Sequence, residues 1–222
     1  MAVLGVDGWR GRWVGALLTG RTVELLVLDD VAAALAVPDV DLMAIDMPIG
    51  LSESGRRICD DHARTRLGRA GSSVFPAPLR PVLSAVDYVD ACRISIAASG
   101  KALSKQAWNL TPAIRQLDDA LGDPPSERVV EVHPELAFRA LSSGAVSDPK
   151  VTARGTMQRL TALSAVMDVE QALTDAPRLV PMVDALDACA TAWSAQRIRD
   201  GRGECVGDGA LDSRGRPMRI CW

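Results

Sequence analysis

Three β-compatible runs follow one another so closely at the start of the chain that they have little choice but to pair as neighbours. Ala2 to Val6 is apolar and ends at Asp7-Gly8. Trp13 to Leu18 follows a short turn at Arg10-Gly11, and Thr22 to Leu28 follows Thr19-Gly20-Arg21. Apolar runs joined by short glycine-containing turns predict an antiparallel meander. Asp29 to Val37 is alanine-rich and predicts a short helix capped by Asp29 or Asp30. A fourth apolar run, Leu42 to Ile45, stops at Asp46-Met47-Pro48-Ile49-Gly50. A helix between the third and fourth strands lets the fourth lie parallel to an earlier one, which makes the class α/β.

Beyond Gly50 the character changes. The stretch from Ser52 to Ser126 is rich in Arg, Ser and Pro, with candidate helices at Ser54 to Leu67, Val86 to Ser99 and Thr111 to Leu121. Prolines make Gly71 to Pro78 a rigid loop. A fifth strand, Arg128 to His133, stops at Pro134, and a helix covers Glu135 to Leu141. Asp148-Pro149 starts a further helix running to about Met167. Asp184 to Arg199 is the last long helix, ended by Gly201. The tail, closing on Met218 to Trp222, reads as an edge strand or as a cover for an apolar surface. With 222 residues the chain is read as one domain (1–222), its core at 1–51 and 127–222 and a helical insertion at 52–126.

Composition narrows the function. Hydrophobic residues at 48% and charged residues at 24% exclude a disordered chain or a coiled coil. No apolar run approaches the roughly 18 residues of a membrane helix, and the N-terminus lacks a basic region, so neither a membrane span nor a signal peptide is expected. A net charge of -3 argues against a broad basic surface that grips duplex nucleic acid, though not against a local basic groove. The five cysteines form no CxxC pair and the two histidines stand far apart, so no zinc site is expected. An odd thiol count without an export signal implies a reducing cytoplasm and five plain thiols.

The informative pattern is where the acids stand. Asp7 ends the first strand, Asp46 ends the fourth, Glu131 lies in the fifth, and Asp184 and Asp187 open the last helix on one face. In open α/β sheets reactive groups gather beyond the carboxyl ends of strands. If strands one and four are parallel neighbours, Asp7 and Asp46 meet there, and the last helix can bring its two aspartates across. Carboxylates that close repel one another unless a cation intervenes. Oxygen-only ligands without His or Cys suit Mg2+ or Mn2+, and two such ions can activate water against a phosphodiester. Taken singly, each acid has a plainer reading: a turn residue at Asp7 or Asp46, a helix cap at Asp184, a solvated edge at Glu131.

In order, Gly5-Val6-Asp7-Gly8-Trp9-Arg10, Ile45 to Gly50, Gly71-Ser72-Ser73-Val74-Phe75-Pro76, Glu131-Val132-His133-Pro134-Glu135 and Asp184-Ala185-Leu186-Asp187-Ala188 resemble an uncharacterised bacterial family described as predicted RNase H-like nucleases. The resemblance spans nearly the whole chain. It implies an RNase H-like mixed five-stranded sheet flanked by helices, with the helical insertion between strands four and five. It also implies metal-binding acids at Asp7, Asp46, Asp184 and Asp187, as in the Holliday-junction resolvases of the broader superfamily.

Around the acids, Arg10 and Arg12 can reach a phosphate or merely sit on an exposed turn. Ser72 and Ser73 can cradle a phosphate or belong to a plain connection. His133 is a proton shuttle or a structural strand end. Arg56, Arg57, Arg64, Arg66, Arg69 and Arg80 line a nucleic-acid path or a solvated helix face. The leading expectation is a two-metal nuclease using Asp7, Asp46, Asp184 and Asp187, with Glu131 as a further ligand or orienting group. The alternatives are a protein of the same fold that binds a nucleotide or small phosphate ligand, and an inactive interaction protein.

Overall fold

The computed structural model describes residues 1–123, 126–142 and 146–222. The expected insertion at 52–126 takes in positions 124–125, which lie outside the described residues. Two compact units divide the chain: 1–47 with 127–205 and 221–222, and 48–126 with 206–220. The tail segment 206–220 thus joins the helical insertion rather than the core assigned to it from sequence.

In the first unit, β1 (Ala2–Trp9), β2 (Arg12–Thr19), β3 (Thr22–Leu28), β4 (Val40–Ile45) and β5 (Val129–Glu131) form, among the described residues, a five-stranded sheet in the order β3-β2-β1-β4-β5. The meander is antiparallel as expected, and β4 runs parallel to both β1 and β5. At the first hairpin Arg10 (φ 47) and Gly11 (φ 78) both take the left-handed region, as a two-residue turn matched to strand twist requires. The short helix α1 (Val31–Leu35) begins at Asp30, whose Oδ1 accepts the Ala33 N–H at 2.7 Å.

The second unit carries α2 (Ile58–Leu67), α3 (Tyr88–Ser99) and α4 (Lys105–Ala120), with 3-10 turns at Gly68–Ser73 and Arg80–Ser84. The helix α4 begins six residues before the expected Thr111. Ser104 caps it by accepting the Ala107 N–H, and it continues through Pro112. Proline there forfeits a backbone bond, but Ala107, Thr111, Ile114 and Leu117 still bury a continuous stripe. Four of the unit's arginines, Arg57, Arg80, Arg214 and Arg216, are spent on carboxylates of the same unit. Arg216 is fully buried and pairs with Asp118; Arg80 holds Asp118 and Asp212; Arg214 holds Asp118 and Asp123. Arg57 is also buried, donating to Asp60 and to the Gly50 carbonyl. Arg56 pairs with Asp61, and Arg64 donates to the Val74 carbonyl. Of the six arginines weighed as a nucleic-acid path, Arg56, Arg66 and Arg69 are exposed.

Back in the first unit, α5 (Pro134–Leu141), α6 (Ala153–Ser164), α7 (Val169–Thr174) and α8 (Met182–Arg199) follow β5. The cap of α6 is Thr152, not the expected Asp148, because the Asp148–Lys150 turn folds against the first helical turn instead of entering it. The sequence reading missed α7. Its start is tied to the β2–β3 hairpin by the Asp168 N–H, which donates to the Arg21 carbonyl at 2.9 Å.

Strands β6 (Cys205–Leu211) and β7 (Pro217–Cys221) pair in a small sheet. The expectation of five free thiols fails here: Cys205 and Cys221 form a disulfide. Glu204 and Trp222 exchange both backbone hydrogen bonds, which sets the next pair inward, Cys205 and Cys221, directly opposite each other. Cys59 and Cys189 are buried free thiols and Cys92 is partly buried. Among the described residues no helix is long and apolar enough to cross a membrane.

The helix α8 lies directly on the sheet. A Cβ on Gly5 would stand 2.1 Å from the Ala192 nitrogen and 2.3 Å from the Ala188 carbonyl oxygen. Only glycine permits that approach, and alanines at 185, 188, 192 and 195, all essentially without exposure, give α8 its matching flat face.

Candidate functional site

Strand alternation carries the Gly5 contact straight to the acids. Asp7 lies two residues beyond Gly5, so both side chains leave the same face of β1. Gly5 pairs with Ala44 and Val6 with Ile45, and the Asp46 N–H continues the ladder by donating to the Val6 carbonyl at 3.0 Å. Asp46 therefore stands beside Asp7 at neighbouring carboxyl ends. Because α8 meets Gly5 through Ala188 and Ala192, its preceding turn, with Asp184 and Asp187, extends over Asp7. Four of the five acids singled out in the sequence are thus brought together. The first turn of α8 also sets the positive end of its backbone dipole beside them.

Glu131 is placed differently. The register sets it opposite Ile45, one step short of Asp46, so alternation puts it on the face of Val6 and Ile45. The acid that approaches instead is Glu135, in the first turn of α5, whose charge acts on both Asp46 and Asp187. Arg159 holds Glu135 through two bonds of 2.7 and 2.8 Å. His133 caps α5, its Nδ1 accepting the Glu135 N–H at 3.3 Å.

A cation that sequence reasoning passed over sits among the acids. Lys150 Nζ lies 2.5 Å from Asp187 Oδ2. Lys150 also acts on Asp7, Asp46 and Asp184. Its own pKa is raised: burial alone would lower it, but Asp187, Asp46 and Asp7 more than reverse that. The one available signal was scarcity, since lysine occurs only at 101, 105 and 150 in an arginine-dominated chain.

Crowding and burial both disfavour the charged carboxylates. Asp7 is held well above the usual range, first by burial and then by Asp46 and Asp187. Burial pushes Asp46 up to about 7 and Asp187 up to about 6, in each case against the pull of Lys150. Asp184 is raised by its partial burial, with Lys150 and Arg10 opposing. Cys189, two residues beyond Asp187, is pushed up to about 12 by burial and by the Asp187 charge, which keeps it an inert thiol.

The remaining candidates divide. Arg10 is exposed, and its charge acts to lower Asp184. Arg12 is engaged by Asp29, with its Nε 2.9 Å from Oδ1. Ser72 and Ser73 belong to the second unit, where they close the 3-10 turn; Ser73 Oγ donates to the Ala70 carbonyl at 2.8 Å.

The donors at this edge are hard oxygens, the chemistry that suits a small divalent cation. Asp187 Oδ1 is buried without a hydrogen-bond partner, an orphan that a cation would satisfy. Among the described residues, however, no group of three or more His, Cys, Asp or Glu side chains is already arranged to hold a metal ion. The donor set fits the ion in chemistry, while the other oxygen of Asp187 is taken by an ammonium.

The chain matches the family described as "Protein of unknown function (DUF429)" over residues 5–211, and it belongs to that family. No curated protein and no solved structure matches it.

Proposed function

We propose that this chain is a metal-dependent phosphodiesterase of the RNase H-like kind, acting on nucleic acid. The observation that carries the reading is the meeting of Asp7, Asp46, Asp184 and Asp187, from two adjacent parallel strands and one helix, around an orphaned carboxylate oxygen. Asp7, Asp46, Asp184 and the free oxygen of Asp187 are the residues that would hold Mg2+ or Mn2+. Bound there, the ion would supply an acidified water and charge neutralisation for a phosphodiester.

The protein's own groups define the rest. Gly5 and the alanine face of α8 fix the spacing of the acids. Arg10, in the left-handed region of the hairpin, carries a charge that acts on Asp184 and is available to a phosphate oxygen. Arg159 is the counter-ion of Glu135 and holds that carboxylate in place near Asp46 and Asp187. Lys150 offsets part of the negative charge that would otherwise repel a phosphate.

One observation favours a second reading, a small phosphate ligand or nucleotide in place of a polymer. Arg57, Arg80, Arg214 and Arg216 are consumed by internal carboxylates and cannot line a strand-binding groove. A cleavage screen over single-stranded, duplex, hybrid and branched nucleic acids and free nucleotides separates the two. Mg2+-dependent cleavage of at least one polymer is expected, and Asp7→Asn and Asp46→Asn should each abolish it in a folded protein. Retained cleavage in both variants would refute the assignment, and cleavage of nucleotides alone would establish the second reading.

A further inference from the structure

We propose that Lys150 is a built-in cation of the acid cluster, so that the cluster takes one divalent ion and not two. The inference rests on the reading of these acids as a cation site and fixes how many ions that site holds.

Asp187 carries the geometry. Its side chain is 2% exposed, and its two oxygens have different fates. Oδ2 is 2.5 Å from Lys150 Nζ, while Oδ1 is buried with no hydrogen-bond partner. A carboxylate that bridges two metal ions with one oxygen on each spends both oxygens on them. Here one oxygen is spent on an ammonium, and a divalent ion at its usual distance of about 2.1 Å cannot share the lone pairs that the ammonium occupies. Asp187 has one oxygen left to give, which serves one ion.

The backbone that carries this half-exposed lysine is held by a rigid support. The turn Asp148-Pro149-Lys150 is pressed against the first turn of α6. A Cβ on Gly155 would lie 2.1 Å from the Pro149 carbonyl oxygen and 2.7 Å from that of Asp148. Thr156 Oγ1 donates to the Lys150 carbonyl at 2.9 Å, and Gln158 Nε2 donates to the Asp148 carboxylate at 2.8 Å. Arg159 donates to the Asp148 carbonyl at 3.0 Å with one nitrogen and grips Glu135 with the other. A continuous set of contacts therefore runs from Glu135 through Arg159 and the Asp148 turn to Lys150 and Asp187. The same arginine holds Glu135 and the backbone of the turn that carries the lysine.

Charge agrees with geometry. Asp7, Asp46, Asp184 and Asp187 present four formal negative charges, and Glu135 is neutralised by Arg159. Lys150 and one divalent ion leave a small negative residue, which Arg10, whose charge acts on Asp184, offsets. A second divalent ion would overcompensate the cluster and would have to displace a pinned ammonium.

The test is the Mn2+ stoichiometry of the full-length, metal-stripped protein, measured by calorimetry and by the spin signal of free Mn2+. Wild type and Lys150→Arg should bind one ion. Lys150→Gln should bind two, or bind its first about tenfold more tightly, because a repelling charge has gone. Thermal melts in chelator should show Lys150→Gln less stable than wild type, with Mn2+ restoring more in the variant than in wild type. Two ions in wild type would overturn the proposal while leaving the acid cluster a metal site, and this result needs no variant to fold. One ion in both wild type and Lys150→Gln, with equal affinity, would overturn it as well. No Mn2+ binding by any of the proteins would overturn the metal-site reading itself.

Discussion

Replacing Asp46 by Asn should stabilise the metal-free protein while removing its activity, and the gain should depend on pH in a defined way. Burial raises Asp46 from its ordinary 3.8 to about 7 in the folded chain. A carboxyl raised by folding binds its proton more tightly when folded. The fold is then unpenalised below about pH 4 and loses stability as pH climbs to the folded value. At about 1.4 kcal/mol per pKa unit, the ionised Asp46 costs the metal-free fold about 4 kcal/mol at pH 8. Asparagine is nearly isosteric and cannot ionise, so Asp46→Asn should match wild type near pH 4 and exceed it by up to about 4 kcal/mol at pH 8. Loss of the Asp46 charge also relieves Asp7 and Asp187, which it raises, whereas Lys150 keeps its direct bond to Asp187. Urea denaturation in chelator across this pH range reads the difference between the two proteins, in which titrating groups outside the cluster cancel. Superimposable pH profiles would refute the reasoning, as would a variant less stable than wild type at pH 8. Either would mean that Asp46 is solvated and does not confront a crowd of carboxylates.

Two further perturbations probe the frame that sets the site. Gly5→Ala should destabilise the fold by at least about 3 kcal/mol, because its Cβ meets the backbone of α8 and not a movable side chain; a loss under about 1 kcal/mol in chemical denaturation would mean that α8 does not rest on β1 as described. In the second unit, Arg216→Ala should cost about 3 kcal/mol, the lower end for breaking a buried pair, since Asp118 keeps Arg80 and Arg214. Arg56→Ala, which breaks an exposed pair with Asp61, should cost under about 1 kcal/mol, and equal losses at the two positions would contradict the burial of the network.

The parts legible in the sequence were those written in local chemistry. The meander was visible because Arg10-Gly11 and Gly20 interrupt apolar runs at two-residue turns, and both hairpins occur. The acids of β1, β4 and α8 were visible because each breaks an otherwise apolar segment at its end. What was not legible depends on partners far away in the chain. Lys150 looks like an ordinary turn residue until Asp187, thirty-seven positions later, is seen against it. Glu135 reads as a helix-start acid, and only Arg159 and the direction of α5 give it to the site. For Glu131 the sequence shows an acid in a strand, and only pairing with Ile45 shows which face it takes. The insertion's arginines read as a basic path because arginine signals phosphate and salt bridge alike. Their carboxylate partners at Asp118 and Asp212 lie as much as 132 residues away. Cys205 and Cys221 are paired by a hairpin whose register no local signal specified.

The two periodicities meeting at Gly5 explain why the acids fall where they do. A strand returns to the same face every two residues, and a helix returns to the same side about every three and a half. Gly5 and Ala44 under the helix, Asp7 and Asp46 two residues on, and Asp184, Asp187 and Ala188 above them are one arrangement read along three segments. The small residues bring the backbones close enough for the acids to crowd, and the crowding holds Asp7 well above the ordinary carboxylate range. An arrangement that only stabilised the fold would have no use for that repulsion. Asp187 buried with one oxygen unpartnered and Asp46 raised to about 7 are both costs to the metal-free protein. Lys150 relieves part of the cost and leaves the remainder, which is the condition under which a cation from solution binds well.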